Sequence, residues 1–352
     1  MKPIKLGLAC LLAAGLGVGV IAGTDFATAG SPTPALTFIA NSRTLHPSVE
    51  IAGLSGSDPR RLGPGTSAVI SPSGTSVAAV ALVGPQSNTS SEVLVYPASG
   101  GAPKILYKAA GFMQLFGWSA DSTRILVWVS GGYNHGPLLE IKVASGAATK
   151  LASGVIEGAS FAPNSSGDVV FALAKSLLST APVNLFVNLP SGGPALQITT
   201  DGHDSSPVWG PHSIIFARSK SRGSQYAPIN QLWSIAPSGG EATQLTHMSV
   251  GPLVDGLAPV AISANGSHLL AQFGGTDTAM VWVVNLTGAI HPRALLGVRT
   301  DGDIADAISR NGDTVLFTSG FEDSPTQLET IPWSGGKATV VAPHGAGGDW
   351  NY

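Results

Sequence analysis

Residues 197–219 read QITTDGHDSSPVWGPHSIIFARS. Gln197 to Thr199 closes one strand, and Thr200 to Ser206 is a polar loop. Pro207 to Gly210 is a short strand ending on Trp209, followed by a tight turn over Gly210 to Ser213. Ile214 to Ser219 is an apolar strand that alternates with polar residues at its end. Versions of this grammar recur along nearly the whole chain, and a repeated supersecondary unit decides an architecture before any single residue does.

The clearest mark is a turn of the type Ser-Gly-Gly. It stands at Ser55-Gly56, Ser99-Gly100, Ser145-Gly146, Ser191-Gly192, Ser238-Gly239, Thr287-Gly288 and Ser334-Gly335. From glycine to glycine the intervals are 44, 46, 46, 47, 49 and 47 residues. Glycine supplies the positive φ that a tight turn between twisted strands requires. Six residues before each turn stands a branched aliphatic (Val49, Val93, Leu139, Leu185, Leu232, Val281, Leu328), which marks a strand C. After the turn comes a weaker strand D, such as Ala242 to Leu245 or Ala338 to Val341.

Upstream lies a second mark, a strand A that ends in an aromatic or aliphatic residue and runs through a polar turn into an apolar strand B. Val69-Ile70-Ser71-Pro72-Ser73-Gly74, Gly117-Trp118-Ser119-Ala120-Asp121-Ser122 and Ile308-Ser309-Arg310-Asn311-Gly312 are examples. The B strands read Val77 to Val83, Ile125 to Val129, Val169 to Leu173, Ile214 to Ala217, Leu269 to Phe273 and Val315 to Thr318. Four antiparallel strands per repeat make one propeller blade. The N-terminal repeat has a B strand (Leu36 to Ala40), a C strand (Val49 to Gly53) and a D strand (Arg61-Leu62), but no A strand. The last residues, His344 to Tyr352, match the loop and strand A of the opening stretch, with Trp350 in the place of Trp209. The expected fold is therefore an all-β, seven-bladed propeller of four-stranded antiparallel blades, closed by the C-terminal strand completing the first blade. Six blades with one degenerate repeat is the alternative.

These marks resemble the TolB-type propeller repeat, whose pattern runs Leu-Thr, spacer, D-x-x-P-x-W-S-P-D-G, an apolar strand, Leu-Trp, and Gly-Gly. The fifth blade carries Asp204-Ser205-Ser206-Pro207-Val208-Trp209-Gly210-Pro211, Leu232-Trp233, Gly239-Gly240 and Leu245-Thr246. The resemblance covers residues 36–352 and implies the fold. TolB itself is a periplasmic interaction protein with an added N-terminal domain and usually six blades. Residues 1–35 are too few for that domain, so the TolB role is not carried over.

Composition narrows the classes of function. Charged residues make up 11% of the 352 residues, against about a quarter in ordinary soluble domains. The N-terminus reads as a secretory signal: Lys2 and Lys5, the apolar run Leu6 to Gly23, and an A-x-A site at Ala27-Thr28-Ala29. An uncleaved membrane anchor is the other reading of that run. The expected organisation is a signal peptide over 1–29, a linker over 30–35 and the propeller over 36–352, in an exported protein that is secreted, periplasmic or envelope-associated. Cleavage removes Cys10, the single cysteine, and with it any disulfide or thiol chemistry. It also takes Lys2, Lys5 and Asp25 from 18 basic and 21 acidic residues, leaving 16 and 20. A nucleic-acid partner would want a basic face. The one basic cluster, Arg218 to Arg222, reads as a solvated loop, so no nucleic-acid partner is expected.

In a propeller the D–A and B–C connections open on one face. His46, Tyr133, His135, Glu157, Asp201, His203, Asp204, His247, Asp255, Arg299, Asp301, Asp303 and His344 map to them and form the candidate binding face. Asp306 and Asp349 map there too. Imidazoles and carboxylates near a channel mouth could hold a divalent metal or move a proton, with His203, His247, His344, Asp301 and Asp303 as the metal candidates; otherwise no cofactor is expected. Loops collect polar residues in any case, and Asp204 and Asp349 read as a repeat feature that ties the loop down. Of the seven tryptophans, Trp118, Trp128, Trp209, Trp233, Trp282 and Trp350 are expected in the inter-blade core, and Trp333 partly exposed. No G-x-S-x-G elbow or dinucleotide fingerprint occurs. The expected function is a monomeric scaffold binding a protein, peptide or glycan on this face. The alternative is a metal-assisted lyase or hydrolase of polysaccharide or cyclic peptide.

Overall fold

The computed structural model describes residues 35–84, 90–131, 135–176, 181–190, 192–219, 229–249, 254–275, 278–295, 297, 302–320 and 325–351. Every regular element among them is a β-strand, and together these strands form six hydrogen-bonded sheets. The first contains β1 (Leu36–Ala40), β2 (Ser48–Ala52) and β3 (Arg60–Pro64). The second contains β4 (Ser67–Ile70), β5 (Ser76–Val83), β6 (Ser90–Pro97) and β7 (Lys104–Ala110). A seven-stranded sheet follows: β8 (Phe112–Trp118), β9 (Arg124–Ser130), β10 (Gly136–Lys142), β11 (Ala148–Phe161), β12 (Val169–Ala174), β13 (Val183–Asn188) and β14 (Leu196–Gln197). Then come β15 (Asp204–Trp209), β16 (Ile214–Arg218), β17 (Gln231–Ile235) and β18 (Thr243–Gln244). The next sheet holds β19 (Val254–Ile262), β20 (His268–Gly275), β21 (Thr278–Asn285) and β22 (Pro292–Ala294), and the last holds β23 (Ile304–Ile308), β24 (Thr314–Ser319), β25 (Gln327–Pro332) and β26 (Thr339–Pro343). The final strand, β27 (Gly345–Trp350), returns to the first sheet and pairs antiparallel with β1, Leu36 opposite Trp350 and Thr37 opposite Asp349.

The seven-stranded sheet differs from the expected pattern. A strand D and the next strand A were expected to be separate, but β11 runs through both. Its first half pairs with β10 from Ala148 to Gly154, and its second half pairs with β12 from Val155 to Phe161. The segment ATKLASGVIEGASF has no proline and no polar insertion to break it. Gly158 stands in the register irregularity between Ile156 and Ala159, with φ at +127°, and a Cβ there would lie 2.8 Å from the Ser206 backbone on β15. Glu157, expected on a loop, is consequently inside a strand.

The repeat turns have the backbone their glycines called for. Gly56, Gly100, Gly146, Gly192, Gly239, Gly288 and Gly335 all have φ between 74° and 93°. The A–B turns repeat a side-chain bond as well. Ser71, Ser119, Ser263 and Ser309 each accept, through Oγ, the N–H five residues on (Ser76 3.1 Å, Arg124 2.9 Å, His268 3.0 Å, Thr314 2.9 Å). A short hydroxyl thus satisfies a backbone donor that the turn would otherwise leave open.

Seven apolar clusters fill the spaces between successive groups of strands, among the described residues. The reason is visible on β9. Ile125, Val127 and Val129 point into the cluster shared with β4–β6, while Leu126 and Trp128 point into the one shared with β11 and β12. A strand covered on both faces must be apolar on both, so the B strands read as unbroken apolar runs. The last cluster joins Leu316, Leu328 and Val341 of the final sheet to Leu36, Phe38 and Trp350 of the first. Trp118, Trp128, Trp209 and Trp350 are buried as expected. Trp233 and Trp282 are only half-buried: Trp233 lies beside Arg218, and Trp282 stacks on Phe273 with ring centroids 4.9 Å apart. Trp333, half-buried, stacks on His268 at 4.3 Å.

Outside the core, cations at the start of strand D bind the C–D turn of the following repeat. Arg60 donates to the carbonyls of Ala98 and Ser99, Lys104 to Val143 and Ala144, and Arg293 to Trp333. These straps fasten neighbouring repeats at the outer rim, and turn carbonyls accept charge-assisted bonds well.

Candidate functional site

Antiparallel alternation puts the connections β1–β2, β14–β15, β18–β19 and β26–β27 at the same strand ends. His46, His247 and His344 sit exposed on three of them, and His135 is exposed just ahead of β10. Tyr133, Arg299 and Asp301 lie outside the described residues. Asp255 is exposed but belongs to β19, and Asp303 is fully buried just before β23.

The segment between β14 and β15 carries the most developed arrangement. Asp204 is the first residue of β15, wholly buried, and pairs in register with Arg218 at the end of β16. Arg218 Nε donates to Asp204 Oδ1 at 2.6 Å, Nη2 to Asp204 Oδ2 at 3.3 Å, and Nη1 lies 2.5 Å from Asp201 Oδ2. Its guanidinium carbon lies 5.0 Å from the Phe216 ring centroid and 4.8 Å from that of Trp233. The local sequence explains this. Phe216 and Arg218 are two apart on one strand and so share a face, and Trp233 is directly opposite Phe216. Arg218 is therefore a buried anchor and not part of a solvated basic loop. Sequence reading missed it, although the signal was present in a basic residue at alternation distance from a core aromatic.

The rim is held from below at other points too. Asn184 Oδ1 accepts the N–H of Gly202 at 2.9 Å. Gln231 Oε1 accepts from Thr246 Oγ1 at 2.8 Å and from Met248 N–H at 3.0 Å, while its Nε2 donates to the Met248 carbonyl at 3.0 Å. His247 thus projects from a backbone fixed on both sides. His344 has φ at +65°, and its carbonyl accepts from Asn41 N–H at 3.0 Å. His203 is half-buried, and its Nδ1 is buried with no hydrogen-bond partner among the described residues.

Among the described residues no group of three or more His, Cys, Asp or Glu side chains could hold a metal ion. What this face presents is exposed imidazoles on its connections and, at the β14–β15 segment, the ion-paired group Asp201–Arg218–Asp204.

A second acidic pair lies deeper, on strands and not on loops. Asp306 is inside β23 and Asp349 inside β27, at 5% and 2% exposure. Asp349 is one residue before Trp350, whereas Asp204 is five before Trp209, so the two aspartates are not equivalent positions of the repeat. Asp349 instead matches Ser160, the residue before Phe161. Ser160 Oγ accepts from Trp209 N–H on β15 at 3.2 Å, and Asp349 Oδ2 accepts from Ile70 N–H on β4 at 2.9 Å. Asp306 Oδ2 accepts from Thr318 Oγ1 at 2.6 Å, and the Asp306 carboxyl also accepts the Gly348 N–H. Burial pushes both carboxyls up to about 7, against the bonds they accept, and for Asp349 the proximity of Asp306 pushes the same way.

No family model matches the chain, and no curated protein matches it in sequence. Solved structures do match. TolB from Acinetobacter baumannii superposes with a TM-score of 0.54 at 14% identity, over 92% of this chain and 67% of that one. The fold is a TolB-like β-propeller. The β-propeller domain of the Trilobed protease from Pyrococcus furiosus, described as having an open velcro topology, gives 0.63 at 14% identity over 90% and 96% of the two chains. An oligogalacturonate lyase in complex with manganese gives 0.59 at 11% identity over 92% and 86%. At these identities the TolB-like propeller is a likeness of fold, shared with proteins of differing activity.

Proposed function

We propose that this TolB-like propeller is an exported, monomeric binding scaffold whose rim of D–A and B–C connections receives a protein, peptide or glycan. The carrying observation is the fastening of that rim. Arg218, Asn184 and Gln231 reach up from the strands and fix the segments that display His203 and His247. A surface ordered before its partner arrives loses less entropy on binding. The scaffold proposed is a ring of seven blades, with β11 serving two of them and β27 completing the first. Its support is the set of seven apolar clusters between successive groups of strands, one of them inside the seven-stranded sheet and the last joining the final sheet to the first. The signal peptide is proposed to end at Ala29, and the mature chain to begin at Gly30.

The test is to probe purified mature protein against peptide and glycan arrays. Alanine at His46, His135, His247 and His344 together should abolish a reproducible ligand signal. Substitutions in the Ser-Gly turns of the opposite face should leave it intact. Binding that survives the four substitutions would overturn the assignment of the face. The likeness to a manganese-bound lyase favours one second reading, metal-assisted cleavage of a polysaccharide. That reading requires the purified protein to retain a divalent metal, and His203→Ala and His344→Ala to remove it.

A further inference from the structure

Asp306 and Asp349 join three inner strands that are distant in sequence. Asp306 on β23, with Thr318 on β24, grips β27: the Asp306 carboxylate accepts the Gly348 N–H, and Thr318 Oγ1 accepts the Gly347 N–H at 2.9 Å. Asp349 on β27 grips β4 through Ile70 N–H. The strand that returns to β1 is therefore held on both sides by carboxyl groups. The equivalent bond between β11 and β15 uses a neutral serine, Ser160.

Neither Asp306 nor Asp349 forms an ion pair among the described residues. Of the strands packed against them, β1, β4, β24 and β26 carry no titratable side chain. Glu329 on β25 accepts from Ser319 Oγ, and His268 on β20 is bonded to the Gly312 carbonyl and stacked on Trp333. Asp255 on β19 is exposed, and Asp303 stands just ahead of β23. Asp349 Oδ1 is buried without a hydrogen-bond partner among the described residues, and Asp306 is the charged group that acts on Asp349. Protonation would relieve that arrangement, and two full negative charges would aggravate it, since burial leaves little solvent to screen them.

We propose that the seam between the last and first sheets is a proton-operated latch, closed while the Asp306–Asp349 pair carries a proton and loosened when both carboxyls ionise. The sign follows from burial. The folded seam holds protons that the unfolded chain releases, because burial raises both groups to about 7 from an ordinary 3.8. The seam's stability is full below the ordinary carboxylate range and is lost as pH rises through 7. Opening would free β27 from β23 and β4 and leave the other sheets closed.

Hydrogen exchange on the full-length protein, corrected for intrinsic rates, tests this at pH 5 and pH 8.5. The amides of β27 and β1 should lose protection by about ten-fold or more, while those of β12 and β13 stay unchanged. Asp306→Asn with Asp349→Asn, which mimics the protonated pair, should remove the pH dependence. Equal protection at both pH values overturns the proposal, as does loss spread evenly over all sheets, or an undiminished response in the double variant. If the double variant does not fold, the location of the wild-type response decides alone: confined to β27, β1 and β4 it supports the latch, elsewhere it refutes it.

Discussion

Replacing Arg218 by methionine keeps much of the apolar stem but removes the charge that faces Asp204 and Asp201. Asp204 is fully buried, and the Arg218 side chain is 11% exposed, so this pair has little solvent screening. Breaking a buried ion pair from one side costs about 3–5 kcal/mol, because the remaining charge is left without a partner. Losing the guanidinium beside Phe216 and Trp233 adds up to ~1 kcal/mol. Asp201 is a contrasting control. Its side chain is 55% exposed, and Asp201→Ala should cost no more than ~1 kcal/mol. Unfolding entropy near ~2.1 cal/mol/K per residue makes the Arg218→Met loss a fall in Tm of about 4–8 °C for a chain of this size. Urea unfolding followed by tryptophan fluorescence measures it, with Trp233 reporting at the site itself. Arg218→Met combined with Asp204→Leu should recover most of the loss, since an apolar pair needs no compensation. A loss below ~1 kcal/mol for Arg218→Met, or one equal to that of Asp201→Ala, would refute the assignment of Arg218 as a buried anchor.

Wild-type thermal stability should fall between pH 5 and pH 8, by up to ~1.4 kcal/mol per pH unit for each of Asp306 and Asp349; calorimetry on Asp349→Asn should show a flatter profile. Trp118→Phe should cost more than Trp350→Phe in the same denaturation assay. Trp118 Nε1 donates to the Val69 carbonyl at 2.9 Å, whereas Trp350 Nε1 finds no acceptor among the described residues, and a lost buried bond costs about 1–3 kcal/mol. Gly158→Val should lower Tm sharply, because a side chain at φ +127° would also meet the Ser206 backbone and Pro207; circular dichroism melting checks it, and an unchanged melt would argue against the close packing of β11 on β15. Metal analysis after gentle purification of the mature chain should find no stoichiometric divalent ion if the scaffold reading holds.

Much of the fold was legible because its signals are local. A Ser-Gly turn every 44–49 residues needs only the positive φ of glycine, and all seven glycines have it. The B strands were placed to within a residue or two, since burial on both faces leaves an uninterrupted apolar run. The C-terminal strand was placed by likeness to residues 197–219, and it pairs with β1. The continuity of β11 was not legible: nothing in ATKLASGVIEGASF distinguishes one strand with two successive partners from two strands joined by a short loop.

The site residues divide on the same line. The sequence by itself assigned the connections to one end or the other, because strand alternation does so, although Glu157 and Asp255, expected on connections, are inside strands. It could not determine what the side chains there do. Asp204 and Asp349 looked alike as aspartates near a tryptophan, yet one is neutralised by an arginine 14 residues away and the other bonds a backbone amide 279 residues away. Only the tertiary structure decided that, because the charge state and partners of a buried carboxyl depend on what packs around it from other sheets. A repeated sequence specifies each blade from within, while the seam where the chain's two ends meet is specified by contacts that no local pattern contains.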